Sequence, residues 1–142
     1  MDEDEWRKVY GKRGNLYVIS GPSGVGKTTI IDRLRSQDPD LLYSISHTTR
    51  QKREGEVDGE DYYFVSKNEF ETIRESGGFL EWAEVFGEYY GTSREVVEDA
   101  LESNKDVLMD IDVQGASQIR QEKLSGSIFI FLAPPSRTAL KR

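Results

Sequence analysis

The chain has 142 residues and a formal net charge of −7, with 26 acidic against 19 basic side chains and no cysteine. That length suits one domain with a substantial core, and without thiols the sequence can form neither disulfides nor thiolate metal centres. The acidic balance argues against nucleic acid as the main partner and repels anionic substrates at long range, so a site for a phosphorylated ligand must concentrate its cations locally.

In chain order, residues 1–14 mix charges without periodicity and predict a loose N-terminal extension. The opening Met1-Asp2-Glu3-Asp4-Glu5-Trp6 is acidic where a signal peptide is basic and then apolar, and no apolar run is long enough to span a bilayer. A cytoplasmic protein without membrane contact is the expectation. Leu16 to Ser20 is short, apolar and bounded by glycine, as a buried parallel strand is. Directly after it comes Gly21-Pro22-Ser23-Gly24-Val25-Gly26-Lys27-Thr28-Thr29, which is G-x-x-x-x-G-K-T between a strand pattern and a helix pattern. Glycines 21, 24 and 26 permit the backbone turns that aim successive N–H groups at a phosphate. The following helix points its positive end at the same place. Lys27 is then expected at the β- and γ-phosphates of ATP, and the Thr28 hydroxyl in a Mg²⁺ shell completed by water and phosphate oxygens.

Ile30, Ile31 and Leu34 recur at helical spacing to about Ser36, where Asp38-Pro39-Asp40 stops the helix. Leu41 to Ser46 reads as a second strand. Between about 47 and 92 the character changes: glycines punctuate short aromatic runs, Tyr62-Tyr63-Phe64-Val65, Phe79-Leu80-Glu81-Trp82 and Glu88-Tyr89-Tyr90, which is hairpin composition. Ser66 to Glu75 interrupts them as a helix with Ser66 as N-cap and Glu69 as its capping-box partner. We therefore expect a small inserted subdomain over 46–92, with a core formed by 15–45 and 93–142. Ser93 to Ser103 is an amphipathic helix capped by Thr92 or Ser93, and Asp106 to Asp110 a strand that delivers an acidic residue at its C-terminal end. Val113 to Glu122 is a further helix, Ser127 to Leu132 a strand, and Pro134-Pro135-Ser136 a stop. Alternating strands and helices predict an α/β parallel sheet with ligands at the carboxyl ends of its strands.

A second chemical stretch is Ser46-His47-Thr48-Thr49-Arg50-Gln51-Lys52-Arg53-Glu54-Gly55-Glu56, followed by Asp61-Tyr62. Two arginines three apart with a tyrosine nearby suit a phosphate gripped by guanidinium forks and a phenol. Phe79-Leu80-Glu81-Trp82, Tyr89-Tyr90-Gly91-Thr92, Asp110-Ile111-Asp112-Val113-Gln114-Gly115 and Ala133-Pro134-Pro135-Ser136 follow in order. With these segments the chain closely resembles the guanylate kinases from about residue 14 onward. The resemblance implies a P-loop NTPase core with an inserted GMP-binding subdomain, ATP as phosphoryl donor and Mg²⁺ as cofactor, in a monomer or homodimer. It implies that Arg50, Arg53, Tyr62 and Tyr90 face the GMP phosphate, that Ser46, Glu81, Thr92 and Asp112 face guanine, and that Lys27, Arg50 and Asp110 serve catalysis. The chemistry agrees: guanine offers N1–H and its 2-amino group as parallel donors that one carboxylate, Glu81, accepts together, and a hydroxyl at Ser46 or Thr92 donates to O6. His47 is expected to be a loop residue without a role.

The chain departs from the family pattern at Lys52, where the family usually has proline, and at its end. The family continues with an arginine-bearing lid and a last core strand and helix, which the resemblance implies are absent here; the activity it implies is ATP-dependent phosphorylation of GMP to GDP, with a catalytically impaired fragment or a guanylate-kinase-like binding module as the alternative. Arg137, Lys141 and Arg142 match no lid position. Among other classes, a GTPase is rejected because Asn104-Lys105-Asp106 has the wrong spacing and order for base recognition. Guanylate-kinase-like binding modules generally lack the intact phosphate loop that stands here.

Overall fold

The structure, a computed structural model, describes residue 2 and residues 14–22, 26–124 and 126–133. Ser23, Gly24 and Val25 of the glycine-rich loop, nearly all of the N-terminal extension, and the Pro134-Pro135-Ser136 stop with Arg137, Lys141 and Arg142 lie outside the described residues.

The chain runs β1 (Leu16–Ser20), α1 (Lys27–Gln37), β2 (Leu42–Tyr43), β3 (His47–Thr48), β4 (Tyr63–Phe64), α2 (Lys67–Glu75), β5 (Phe79–Val85), β6 (Glu88–Ser93), α3 (Arg94–Glu102), β7 (Val107–Asp110), α4 (Val113–Gln121) and β8 (Ser127–Phe131). The core sheet is parallel, ordered β2-β7-β1-β8, with β1 central. Apolar residues occupy successive positions of β1 because both of its faces are covered. Leu16 and Val18 join Val107 and Met109 against Val97 and Leu101 of α3 and Ile119 of α4. Ile19 and Leu108 turn the other way, onto Ile31 of α1.

The second sheet is mixed, ordered β4-β3-β6-β5: β3 pairs parallel with β4, while β6 runs antiparallel to β3 and β5. Phe70 of α2 is fully buried against Phe79, with ring centroids 4.5 Å apart, and packs on Tyr89 at 5.4 Å. That helix starts as its sequence dictates, with Ser66 Oγ accepting from the Glu69 N–H at 3.1 Å. Ser93, not Thr92, caps α3, accepting from the Val96 N–H at 3.3 Å.

Two local expectations are corrected, and one helical pattern divides into buried and exposed positions. Leu41 to Ser46 is no single strand: only Leu42 and Tyr43 pair, at the edge of the core sheet, and the chain then leaves for the second sheet. Ile30 and Leu34 remain 40% and 38% exposed, because α1 turns Ile31 to the sheet and no described element covers its other apolar positions. His47 lies in β3 rather than in a loop, its ring 4.8 Å from Tyr63 and 5.7 Å from Phe79, with Nδ1 buried and unpartnered among the described residues. Burial lowers the His47 pKa from its ordinary value, with Asp58 opposing. A lowered histidine pKa means that the unfolded chain binds the extra proton first, so stability is lost as pH falls below about 6.5. His47→Phe is expected to flatten the dependence of melting temperature on pH between about 5 and 7; identical slopes in the two proteins would refute it.

Candidate functional site

At the carboxyl end of the core sheet, β1, β7 and the start of α1 converge. Gly21 has φ +153°, and a Cβ there would lie 2.5 Å from the Leu132 carbonyl oxygen, so the chain can leave β1 beside β8 only with glycine at this position. Gly21→Ala is expected to cost about 1 to 3 kcal/mol in backbone strain alone, read as a lower denaturant midpoint with an unchanged slope. Gly26 caps α1 in the left-handed region. Lys27, the first residue of α1, places Nζ 3.0 Å from Asp110 Oδ1 and donates to the Gly21 carbonyl at 3.2 Å. Asp110 reaches this point because β7 runs in register beside β1, with Asp110 opposite Ile19. Thr28 and Thr29 are exposed at the same helix end. Backbone N–H groups at that end, a cation and a carboxylate thus share one corner of the sheet, which is the arrangement that receives a polyphosphate.

A cleft of about 350 Å³ opens beside this corner, lined by Ser46, Tyr62, Glu81, Tyr90, Asp110 and Asp112 among others. Its volume falls in the range of small-molecule sites. Glu81 projects from β5 and is 7% exposed, its Oε1 accepting from Thr92 Oγ1 at 2.6 Å. Burial raises the Glu81 pKa, the Thr92 hydroxyl opposes that shift, and the nearby Asp112 charge adds to it. Asp112 caps α4, its Oδ1 accepting from the Gly115 N–H at 2.7 Å. A buried carboxylate with a hydroxyl on one oxygen and a second carboxylate nearby is poised for a ligand that brings N–H donors.

At the other end of the cleft, Arg50 lies over the Tyr62 ring at 5.1 Å, and Tyr62 meets Tyr90 edge-on at 6.0 Å. Glu56 holds Arg50 through two bonds, of 2.8 and 2.9 Å, and also accepts from the Arg53 N–H at 2.7 Å. The hydrogen bond from Arg50 lowers the Glu56 pKa to about 2, so this carboxylate stays ionised at any working pH. Thr48 anchors the same loop, donating to the Tyr89 carbonyl at 3.0 Å and accepting from the Arg50 N–H at 3.2 Å.

The structure thus brings Ser46, Tyr62, Glu81, Tyr90, Thr92, Asp110 and Asp112 together, with Arg50 beside the two tyrosines. It does not place Arg53 on the cleft wall: its side chain is exposed, and its contribution is a backbone N–H to Glu56. Three roles escaped the sequence reading: Glu56 as the clamp on Arg50, Thr48 as the anchor of that loop, and Asp112 as a helix cap. The signal for Glu56 was its place six residues after Arg50 in the same short loop, and for Asp112 the D-x-x-G pattern at a helix start.

Comparison with known proteins agrees with this geometry. The guanylate kinase family model matches residues 13–142. Guanylate kinases from Shewanella violacea and Lactiplantibacillus plantarum are 51% and 53% identical to the chain over 131 residues, 92% of its length. The chain spans 63% of the length of each of these relatives. The crystal structure of guanylate kinase from Anaplasma phagocytophilum superposes with a TM-score of 0.73 at 37% identity, covering 92% of this chain and 65% of that one. A match of this extent, over a parallel sheet flanked by helices, places the chain in the guanylate kinase family.

Proposed function

We propose that the protein transfers the γ-phosphoryl group of ATP to GMP, giving ADP and GDP. One observation carries the reading: Asp110 lines the acceptor cleft and also holds the phosphate-loop lysine at 3.0 Å, so a nucleotide in the cleft would present its phosphate to the donor site. On this reading residues 46–92 form the acceptor-binding subdomain and 15–45 with 93–142 the core. Glu81 accepts from guanine N1–H and the 2-amino group, Ser46 or Thr92 donates to O6, and Asp112 closes the base pocket. Arg50 with Tyr62 and Tyr90 holds the acceptor phosphate, and the Arg53 N–H serves that grip only through Glu56. An oxygen of that phosphate attacks the γ-phosphorus in line; the bond to the β–γ bridging oxygen breaks, and ADP leaves with that electron pair. Lys27 and Arg50 offset charge that builds up on the transferring group, and no covalent enzyme intermediate is formed.

Thr28 and Asp110 are oxygen donors at the phosphate corner and would hold a hard cation such as Mg²⁺ there. When bound with ATP, Mg²⁺ supplies charge neutralisation at the β- and γ-phosphates. The substrates are thus ATP and GMP. A cytoplasmic monomer or homodimer remains the proposed setting. Release of ADP in the presence of MgATP, measured with GMP and with AMP as rival acceptors, tests the reading. GMP-dependent release is expected; equal release with AMP would overturn it.

A further inference from the structure

We propose that Gln118 is a positioning residue for guanine recognition, pinning β5 to α4 so that Glu81 and Asp112 keep a fixed separation. The inference rests on the reading of the cleft as a GMP site.

β5 is the outer strand of its sheet, so one of its edges has no strand partner. In an antiparallel ladder the N–H and C=O of alternate residues point away from the neighbouring strand together. At Trp82, opposite Gly91, both of these groups are taken by one side chain: Gln118 accepts from the Trp82 N–H at 3.1 Å and donates to the Trp82 carbonyl at 2.9 Å. An amide is the side chain suited to this, because it offers donor and acceptor side by side as a peptide does. Trp82 directly follows Glu81.

The pin sits where the ladder cannot secure the register itself. The β5–β6 pairing is irregular between Phe79 and Glu81, next to the carboxylate that must face the cleft. Side chains alternate along a strand, so a slip of one residue there would turn Glu81 out of the cleft and Trp82 into it. The opposite strand edge, fixed by Gln118, prevents that slip.

On α4, Asp112, Gly115 and Gln118 are spaced by three and form a stripe facing β5. Asp112 caps the helix; Gly115 leaves room for the carboxylate, since a Cβ there would lie 3.1 Å from Glu81 Oε2 and 3.3 Å from Asp112 Oδ1. Gln118 then ties down the strand one turn further on. The two carboxylates assigned to the base therefore belong to one strand–helix pair, although 31 residues separate them in sequence.

The test compares GMP with IMP, which keeps N1–H and O6 but lacks the 2-amino group, by calorimetric titration of the wild-type chain, Gln118→Met, Glu81→Gln and the double variant. Gln118→Met keeps the length and volume of the side chain and removes both bonds. It is expected to weaken GMP binding roughly tenfold, to shrink the preference for GMP over IMP, and to add little in the Glu81→Gln background, since both changes act through one carboxylate. Hydrogen exchange should speed up at the Trp82 amide. If Gln118→Met does not fold, Gln118→Asn, one methylene too short to span both groups, is put through the same cycle. Equal losses for GMP and IMP, or losses that add in the double variant, would overturn the inference while leaving the site intact. Indifference of GMP binding to Glu81→Gln would instead remove the reading on which the inference stands, and the inference with it.

Discussion

Lys27→Ala is expected to lower the rate of phosphoryl transfer by about 10²- to 10³-fold or more, the loss seen when one preorganised transition-state donor is removed. Lys27 sits at the N-terminus of α1, bonded to Asp110 and to the Gly21 carbonyl, so its charge is already aimed at the phosphate corner before any ligand arrives. On the proposed reaction, negative charge on the transferring group and the β–γ bridge shifts as transfer proceeds, and the acceptor lies in the neighbouring cleft, so the loss falls on kcat more than on GMP binding. The variant also leaves the Asp110 carboxylate, which lines the acceptor cleft, without its cation. Measuring GMP affinity and turnover in parallel checks this. A tenfold or greater loss of GMP affinity with turnover preserved at saturation would assign Lys27 to the acceptor instead.

Glu81→Gln is expected to weaken GMP binding by at least ten- to a hundredfold while leaving ATP binding nearly intact, because a guanine donor left unpaired in a closed site costs several kcal/mol. The same substitution is expected to stabilise the unliganded fold at neutral pH. Burial raises the Glu81 pKa, so folding disfavours the ionised form relative to the unfolded chain. A carboxyl whose folded pKa is raised contributes stability below its unfolded pKa and loses that contribution as pH rises through the folded value. The gain from glutamine should therefore be present at pH 7 and vanish by about pH 4. A residue selected for packing alone would show the opposite pattern, with the glutamine variant less stable at pH 7. Thermal melts at the two pH values decide between them.

The first strand and the helix after it were legible because each signal is local: an apolar run and a helical spacing lie within a few residues of one another. The parallel core sheet was legible from the alternation of strand and helix patterns, and strands of the second sheet from the glycine-bounded aromatic runs. What escaped depends on distant partners. Leu42 and Tyr43 pair with Val107 and Leu108, and nothing in Leu41 to Ser46 marks where that pairing stops. Helical spacing made Ile30 and Leu34 look like Ile31, yet only the elements packed on α1 decide which of them is buried. Arg50 and Arg53 looked like an equivalent pair, but one carboxylate, Glu56, holds the guanidinium of the first and the backbone of the second. Trp82 and Gln118 are 36 residues apart, and their pairing has no local signature.

Titration of GMP and AMP into the chain by calorimetry tests most directly the claim that this cleft reads guanine through Glu81. GMP is expected to bind at least a hundredfold more tightly than AMP, which offers a carboxylate no parallel N–H pair. Equal affinity for the two nucleotides, or a GMP affinity unchanged in Glu81→Gln, would contradict it.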